Sequence, residues 1–337
     1  MKLRDQVLLG LAGGAALAWG ARAWLRASRR IELAGRVVIV TGGSTGLGLM
    51  IAREAVRRGA RVAIAARGES DLRDAEAELK GLGGDVLAVP TDVSDEGQVR
   101  VLVARTIERF GRVDILVNNA GTIQVGPAES MTVDDFKKAM DTNFWGELLP
   151  TLAVLPQMRA QGGGRIANVV SVGGKVSVPH LLPYSASKFA LTGLTEGLRA
   201  ELARDNILVT GIYPGTIRTG GHTHAEFKGD HQAEYTWFAL SDIIPGISSS
   251  AEGAARALWK AVLDGDPEVV VGWNARLAIL GHNLFPEWTV EALALLNRVM
   301  PSGGQAHGEA LRGEQLSGKI PETLNRMIPP GARPRPA

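Results

Sequence analysis

The stretch from Ser171 to Lys188 reads SVGGKVSVPHLLPYSASK. Tyr184 and Lys188 lie four residues apart, so on a helix opening near Tyr184 they share one face. A phenol is a poor acid at neutral pH, with a reference pKa of about 10. A neighbouring ammonium favours phenolate. The hydroxyl of Ser171, at the end of a preceding strand, could hold a carbonyl oxygen beside the phenol. These are the parts of a proton donor and acceptor for an alcohol–ketone pair. Chemistry of that kind needs a hydride carrier.

A site for a carrier is legible upstream. The β-branched run Arg36–Val40 passes into Thr41-Gly42-Gly43-Ser44-Thr45-Gly46-Leu47-Gly48, and a helix follows through about Arg58. Glycines at 42, 46 and 48 let the backbone approach a pyrophosphate, whose charge a helix N-terminus stabilises. No Gly-Lys-Ser/Thr follows, so this is not a nucleoside-triphosphate loop, and the spacing is not G-x-G-x-x-G. The end of the second strand should meet the adenine ribose, where an acid would take a 2′-hydroxyl. Here Ala66 is followed by Arg67, and a guanidinium suits a 2′-phosphate. That points to NADP(H). The competing reading of Arg67 is an ordinary surface arginine.

Strands are expected at 36–40, 61–66, 86–89, 114–117, 165–170, 207–212 and 268–271. Helices between them are expected at 71–80, from a Ser94 cap to Phe110, at 133–160 with bends at Pro150 and Pro156, from Tyr184 to about Arg204, and from a Ser250 cap to about Leu263. This alternation predicts an α/β fold, a doubly wound parallel sheet covered on both faces. Ligands of such sheets bind beyond the strand C-termini. Gly42, Asp92, Asn118, Ser171 and Pro214 all fall there.

With Thr41–Gly48, Asn118-Asn119-Ala120-Gly121 and Tyr184–Lys188 in place, residues 34–272 resemble the short-chain dehydrogenase/reductase family. The resemblance implies a single Rossmann-like domain, assembled as a homodimer or homotetramer. It implies a turn at Thr41, Gly42, Ser44, Thr45, Gly46, Leu47 and Gly48 around the pyrophosphate, and Asp92 with Val93 at the adenine. Asn119, Ala120 and Gly121 belong beside the cofactor, and Pro214, Gly215, Thr216 and Thr219 beside the nicotinamide. Asn143 matches a fourth catalytic residue, which supports a water linking the lysine to solvent. In the implied mechanism Lys188 binds the nicotinamide ribose and acts on Tyr184, and Ser171 orients the substrate oxygen. Some NADP-using members carry a basic residue where Thr45 stands, so NAD(H) remains open beside NADP(H).

The chain has 337 residues, 45% of them hydrophobic, enough for one large domain with additions. Lys plus Arg is 37 against 35 Asp plus Glu, which gives no electrostatic reason to expect nucleic acid. No cysteine is present, which excludes disulfides, Cys-ligated zinc and thiol catalysis. Three divisions are expected: residues 1–31, a catalytic domain at 32–273, and a helical extension with a tail at 274–337.

Val7 to Ala21 carries no charge, but its fifteen residues span only about 22 Å of helix. Extended to Leu25, with Arg22 reaching the interface, it predicts a single membrane anchor, and the arginines at 22, 26, 29 and 30 place the catalytic domain on the cytoplasmic side. A cleaved signal peptide or a helix lying on a surface are the alternatives. His222, His224 and His231 read as lid residues rather than as a metal site. The apolar run at 275–300 packs on the sheet, lines a substrate channel, docks on a membrane or forms a subunit contact. Together with the N-terminal segment it favours a hydrophobic substrate of lipid, steroid or retinoid type. A soluble or acyl-carrier-bound ketone, and a cofactor-binding sensor without turnover, are the competing functions.

Overall fold

The computed structural model of the chain describes residues 3–243, 248–302 and 308–316. Seven parallel strands form the central sheet: β1 (Val37–Thr41), β2 (Arg61–Ala66), β3 (Val86–Pro90), β4 (Ile115–Asn118), β5 (Gly164–Val169), β6 (Ile207–Pro214) and β7 (Glu268–Val271). Their order is 7-6-5-4-1-2-3. Because β1 pairs with both β2 and β4, the chain reverses direction across the sheet there, and a crevice opens at the C-terminal ends of β1 and β4.

Alternation along β1 sorts its side chains into two layers. Val38 and Val40 join Ile51, Ile64, Leu79 and Trp259 on one face. Val37 and Ile39 join Leu102, Phe110, Val154 and Met158 on the other. The period of two is that of a strand buried on both sides. The first layer is covered by α2 (Gly46–Arg57), α3 (Glu69–Gly81) and, across β6, α9 (Ala251–Asp264). Trp259 is fully buried and donates its indole N–H to the Ile51 carbonyl at 3.0 Å, so its one polar atom is satisfied. The second layer is covered by α4 (Glu96–Phe110), α6 (Gly146–Ala160) and α7 (Leu182–Glu201).

Several expected boundaries shift for physical reasons. Asp95, not Ser94, caps α4, accepting from the Gln98 N–H at 3.0 Å. The hydroxyl of Ser94 instead donates to Asp92. The single helix expected over 133–160 is divided into α5 (Val133–Met140), a π turn at Asp141–Trp145, and α6. Pro150 and Pro156 lie inside α6, and the irregularity falls at the π turn instead. Ser250 does cap α9.

Outside the sheet, α1 (Leu3–Arg29) occupies the N-terminal segment. Its C-terminal end is docked on the domain. Arg26 forms a two-pronged pair with Asp266 at 2.6 and 2.7 Å, and the Arg29 carbonyl accepts from Arg165 at 2.6 Å. Among the described residues, no helix is long and apolar enough to cross a membrane. A smaller layer, with Val125, Leu181, Phe227, Tyr235 and Ala239, sits over the crevice and includes α8 (His231–Ile243). After β7 come α10 (Trp273–Leu284) and α11 (Pro286–Asn297). Only Ala275 of α10 is buried and no residue of α11 is, so packing on the sheet does not account for this apolar run. The tail beyond residue 316 lies outside the described residues.

Candidate active site

Helix α7 starts at Leu182 with Pro183 in its first turn, where the missing N–H costs nothing. Tyr184 and Lys188 therefore stand on consecutive turns of a regular helix. Ser171 lies just past β5, buried, its hydroxyl accepting from the Gly173 N–H at 3.0 Å. Gly173 lies against both side chains. A Cβ there would stand 3.2 Å from the Tyr184 ring and 3.4 Å from the Ser171 oxygen.

The ammonium of Lys188 is 3% exposed. It donates to the Val169 carbonyl and to the Glu147 carboxylate, each at 2.9 Å. Two of its three protons are thus directed inward. Glu147 sits in the first turn of α6 and is completely buried; burial pushes its carboxyl up to about 7, with the Lys188 charge pulling the other way. Sequence reasoning missed Glu147. The available signal was an acid within an otherwise apolar stretch, GELLPTLAVLP.

Asn143 lies in the π turn, fully buried. Its amide donates to the Thr122 carbonyl and the Ser187 hydroxyl, both at 3.0 Å, and its oxygen accepts from the Thr122 N–H at 2.8 Å. The side chain thus ties the turn after β4 to α7. A Cβ on Gly121 would stand 3.1 Å from its oxygen and 4.0 Å from the Lys188 nitrogen, so Asn143 and Lys188 border the same glycine.

The glycine-rich turn is built for close approach. Gly42 and Gly46 adopt φ of +62° and +54°. At Gly48 a Cβ would overlap the Gly42 carbonyl, so a side chain there would push α2 away from the turn. The Thr41 hydroxyl accepts from the N–H groups of Asn119 and Ala120 at 3.0 and 3.1 Å. In return, the Asn119 amide donates to the carbonyls of Thr41 and Gly42. The ends of β1 and β4 are thereby locked together, with Ser44, Thr45 and the first turn of α2 facing outward from β1. A backbone this open, at the N-terminus of a twelve-residue helix with no acid in its first turn, fits a dinucleotide pyrophosphate.

Arg67 is exposed just past β2, and Asp92 lies just past the neighbouring β3; the Thr91 N–H donates to the Ala66 carbonyl at 3.0 Å between them. The Asp92 carboxylate accepts from the Ser94 N–H and hydroxyl at 3.0 and 2.7 Å. Val93 is buried, in contact range of any side chain placed at Gly146.

One cavity of about 390 Å³ gathers Ser171, Tyr184 and Lys188 with Leu47, Asn119, Gly121, Pro214, Gly215, Thr216 and Thr219. Of the glycine-rich turn only Leu47 lines it; Thr41, Gly42, Ser44, Thr45, Gly46, Gly48 and Ala120 do not, Arg67, Asp92 and Val93 stand farther along the strand ends, and Asn143 lies behind Gly121. The remaining walls are mostly apolar: Ile123, Val178, Leu181, Ile217, Trp237 and Phe238. Trp237 and Phe238 come from α8, in a segment whose weak periodicity concealed them. Val178 and Leu181 come from the loop before α7.

The three histidines do not converge. His222 is buried and lines the cavity, packed edge-on against Tyr235; His224 is exposed; His231 contacts the Glu309 carbonyl at 2.8 Å. Among the described residues, no group of three or more potential ligands could hold a metal.

Comparison with known proteins agrees with this geometry. Residues 36–228 match the family model described as short chain dehydrogenase. An uncharacterized oxidoreductase of Bacillus subtilis, YxnA, is 37% identical over 263 residues, covering 77% of this chain and 71% of that protein. The 3-dehydrosphinganine reductase of Danio rerio is 40% identical over 196 residues, 57% of this chain and 59% of that one. The crystal structure of a short-chain dehydrogenase from Streptomyces avermitilis superposes with a TM-score of 0.68 at 32% identity, covering 78% of this chain and 97% of that one. The chain is an oxidoreductase that belongs to the short-chain dehydrogenase family.

Proposed function

We propose that this oxidoreductase interconverts an alcohol and a ketone or aldehyde on a hydrophobic substrate of lipid, steroid or retinoid type, with NADP(H) preferred over NAD(H). The carrying observation is the composition of the cavity: Ser171 and Tyr184 share it with the apolar side chains of Ile123, Val178, Leu181, Ile217, Trp237 and Phe238, beside the polar Thr122, His222 and Ser241. An apolar wall of that extent suits a hydrocarbon body with one polar oxygen. The bound nicotinamide supplies the hydride in reduction and accepts it in oxidation. The Ser171 hydroxyl holds the substrate oxygen. The Tyr184 hydroxyl gives that oxygen its proton as the carbonyl carbon gains hydride, and takes one back in the reverse direction. Lys188 holds the nicotinamide ribose with the proton its inward contacts leave over. Arg67, exposed at the end of β2, supports the preference for a 2′-phosphate.

The same reading places the protein at a membrane. Trp19 and Trp24 on α1 are 76% and 69% exposed, and the arginines that follow favour the cytoplasmic side. The apolar surface of α10 and α11 supports the same placement. A homodimer or homotetramer is the assembly proposed.

The test is cofactor oxidation by the full chain in detergent, with long-chain aliphatic ketones against small water-soluble ones. Faster turnover of the long ketones, and of NADPH over NADH, is expected. Tyr184→Phe should lose about 10²–10⁴-fold in kcat. Turnover that survives this substitution overturns the mechanism, equal use of both nucleotides overturns the role of Arg67, and preference for the soluble ketones overturns the substrate class.

A further inference from the structure

A fully buried carboxylate paired with the site lysine has no place in the mechanism above, and its surroundings say what it does. Glu147 Oε1 accepts from Lys188 at 2.9 Å, and Glu147 Oε2 has no hydrogen-bond partner. The backbone at Glu147 is held from two sides. Its carbonyl accepts from the Asn118 amide at 3.1 Å and from the Thr151 hydroxyl at 2.8 Å. Asn118 in turn reaches Asn168 at 3.0 Å, and Asn168 reaches Thr195 on α7 at 2.9 Å. The groups bonded around the Glu147 backbone from β4, β5 and α6 are neutral: Asn118, Asn168 and Thr151. From α7 the titratable neighbour is Tyr184, one turn from Lys188. Lys188 is the charged group that acts on Glu147.

A buried ammonium with only carbonyl partners is costly, and the cost falls when a carboxylate lies within hydrogen-bond distance. The pair is also directional. Glu147 and Val169 take two protons of Lys188, which leaves the third for a group in the cavity that Lys188 lines. We propose that Glu147 is a positioning residue that acts through Lys188: it supplies the counter-charge that keeps the buried ammonium charged and aimed at the ribose and Tyr184. This rests on the reading of Tyr184 and Lys188 as the proton-transfer groups. It predicts that removing the Glu147 charge leaves the buried ammonium uncompensated, so that it gives up its proton, and the site its activity in alcohol oxidation, at a lower pH.

The test is the pH profile of kcat/KM for oxidation of cyclohexanol with NADP⁺, for the native chain, Glu147→Gln and Glu147→Asp. Gln keeps an oxygen acceptor of the same reach but no charge. Its alkaline limb should move about one unit to lower pH, the size expected for loss of an adjacent charge. Asp restores the charge and should bring the limb back toward the native position. A uniform loss of rate with the limb unmoved, or a limb moved to higher pH, overturns the proposal. If neither variant folds, the infrared carbonyl stretch of buried carboxylic acid in the native chain decides. It should fade with a midpoint near 7, and that midpoint should shift when NADP⁺ binds; a nucleotide-insensitive band overturns the proposal. Tyr184→Phe separates the two levels. Its loss of turnover beside a native profile for Glu147→Gln defeats the counter-charge alone, whereas turnover retained by Tyr184→Phe defeats the function on which it rests.

Discussion

Burying Glu147 makes folding depend on pH in a direction opposite to that set by Asp114 and Asp135. Asp114 and Asp135 are desolvated, yet their hydrogen bonds and the cations beside them — Arg112 and Arg36 for one, Lys228 for the other — hold both carboxyls below the usual range. Their contribution is present above the unfolded carboxylate pKa and is lost as pH falls through the folded one. Glu147 is raised from 4.5 to about 7 by burial. Between those values the folded chain binds a proton that the unfolded chain has released, so stability declines as pH rises through this window. Urea unfolding at about pH 5 and about pH 8 should show the decline in the native chain and not in Glu147→Gln. At about 1.4 kcal/mol per pKa unit, the difference is on the order of 2–3 kcal/mol. Asn118 belongs to the same buried network. Asn118→Leu strands the Asn168 oxygen and takes one of two side-chain donors from the Glu147 carbonyl, and should cost about 1–3 kcal/mol by the same measurement.

At the scale of elements, α8 covers the cavity, packs Tyr235 and Ala239 into the layer beneath it, and is tied to the loop before α7 by a buried polar contact. His180, in the loop before α7, meets the Glu234 carboxylate at 2.7 Å, and the other oxygen of Glu234 accepts from the Trp237 indole at 2.6 Å. His180 holds this position with φ at +64°, a conformation a side chain rarely adopts without a specific partner. His180→Ala leaves the fully buried Glu234 with Trp237 and should loosen α8 by about 1–3 kcal/mol. Hydrogen exchange should quicken over residues 231–243 and stay unchanged in β1, β4 and β5. Of this covering layer the sequence showed the histidines at 222, 224 and 231 as lid residues but none of its strands. Its strands are two residues long, at Gln124–Val125, Glu226–Phe227 and Leu311–Arg312, too short to show alternation. The sheet was legible because its strands are continuous β-branched runs bounded by turns, and the dinucleotide turn because its glycines are required by backbone geometry. Glu147 was not: an acid in an apolar helix acquires meaning only from the lysine that a distant helix brings to it.

On the scale of the whole molecule, interior and exterior treat apolar residues differently, and α10 and α11 stand on the exterior. Phe285 and Trp288 are 60% and 76% exposed, whereas Trp259 is wholly enclosed between α9 and α2. Trp259→Ala should cost about 3–5 kcal/mol through the cavity it leaves. The paired change Phe285→Ser and Trp288→Ser removes comparable apolar area from the surface and should move the unfolding free energy by only about 0.5 kcal/mol per site. Such a surface has a use only where water is displaced from it. The docking of Arg26 on Asp266 lets α1 leave the domain from a fixed point, so the membrane placement proposed above predicts two separable contributions to binding. Flotation with anionic phospholipid vesicles should recover the full chain with the lipid. The Phe285→Ser, Trp288→Ser protein should float less completely while keeping its fold. If it floats as fully as the native chain, α1 alone carries the association and the apolar face of α10 and α11 serves contacts between protein chains.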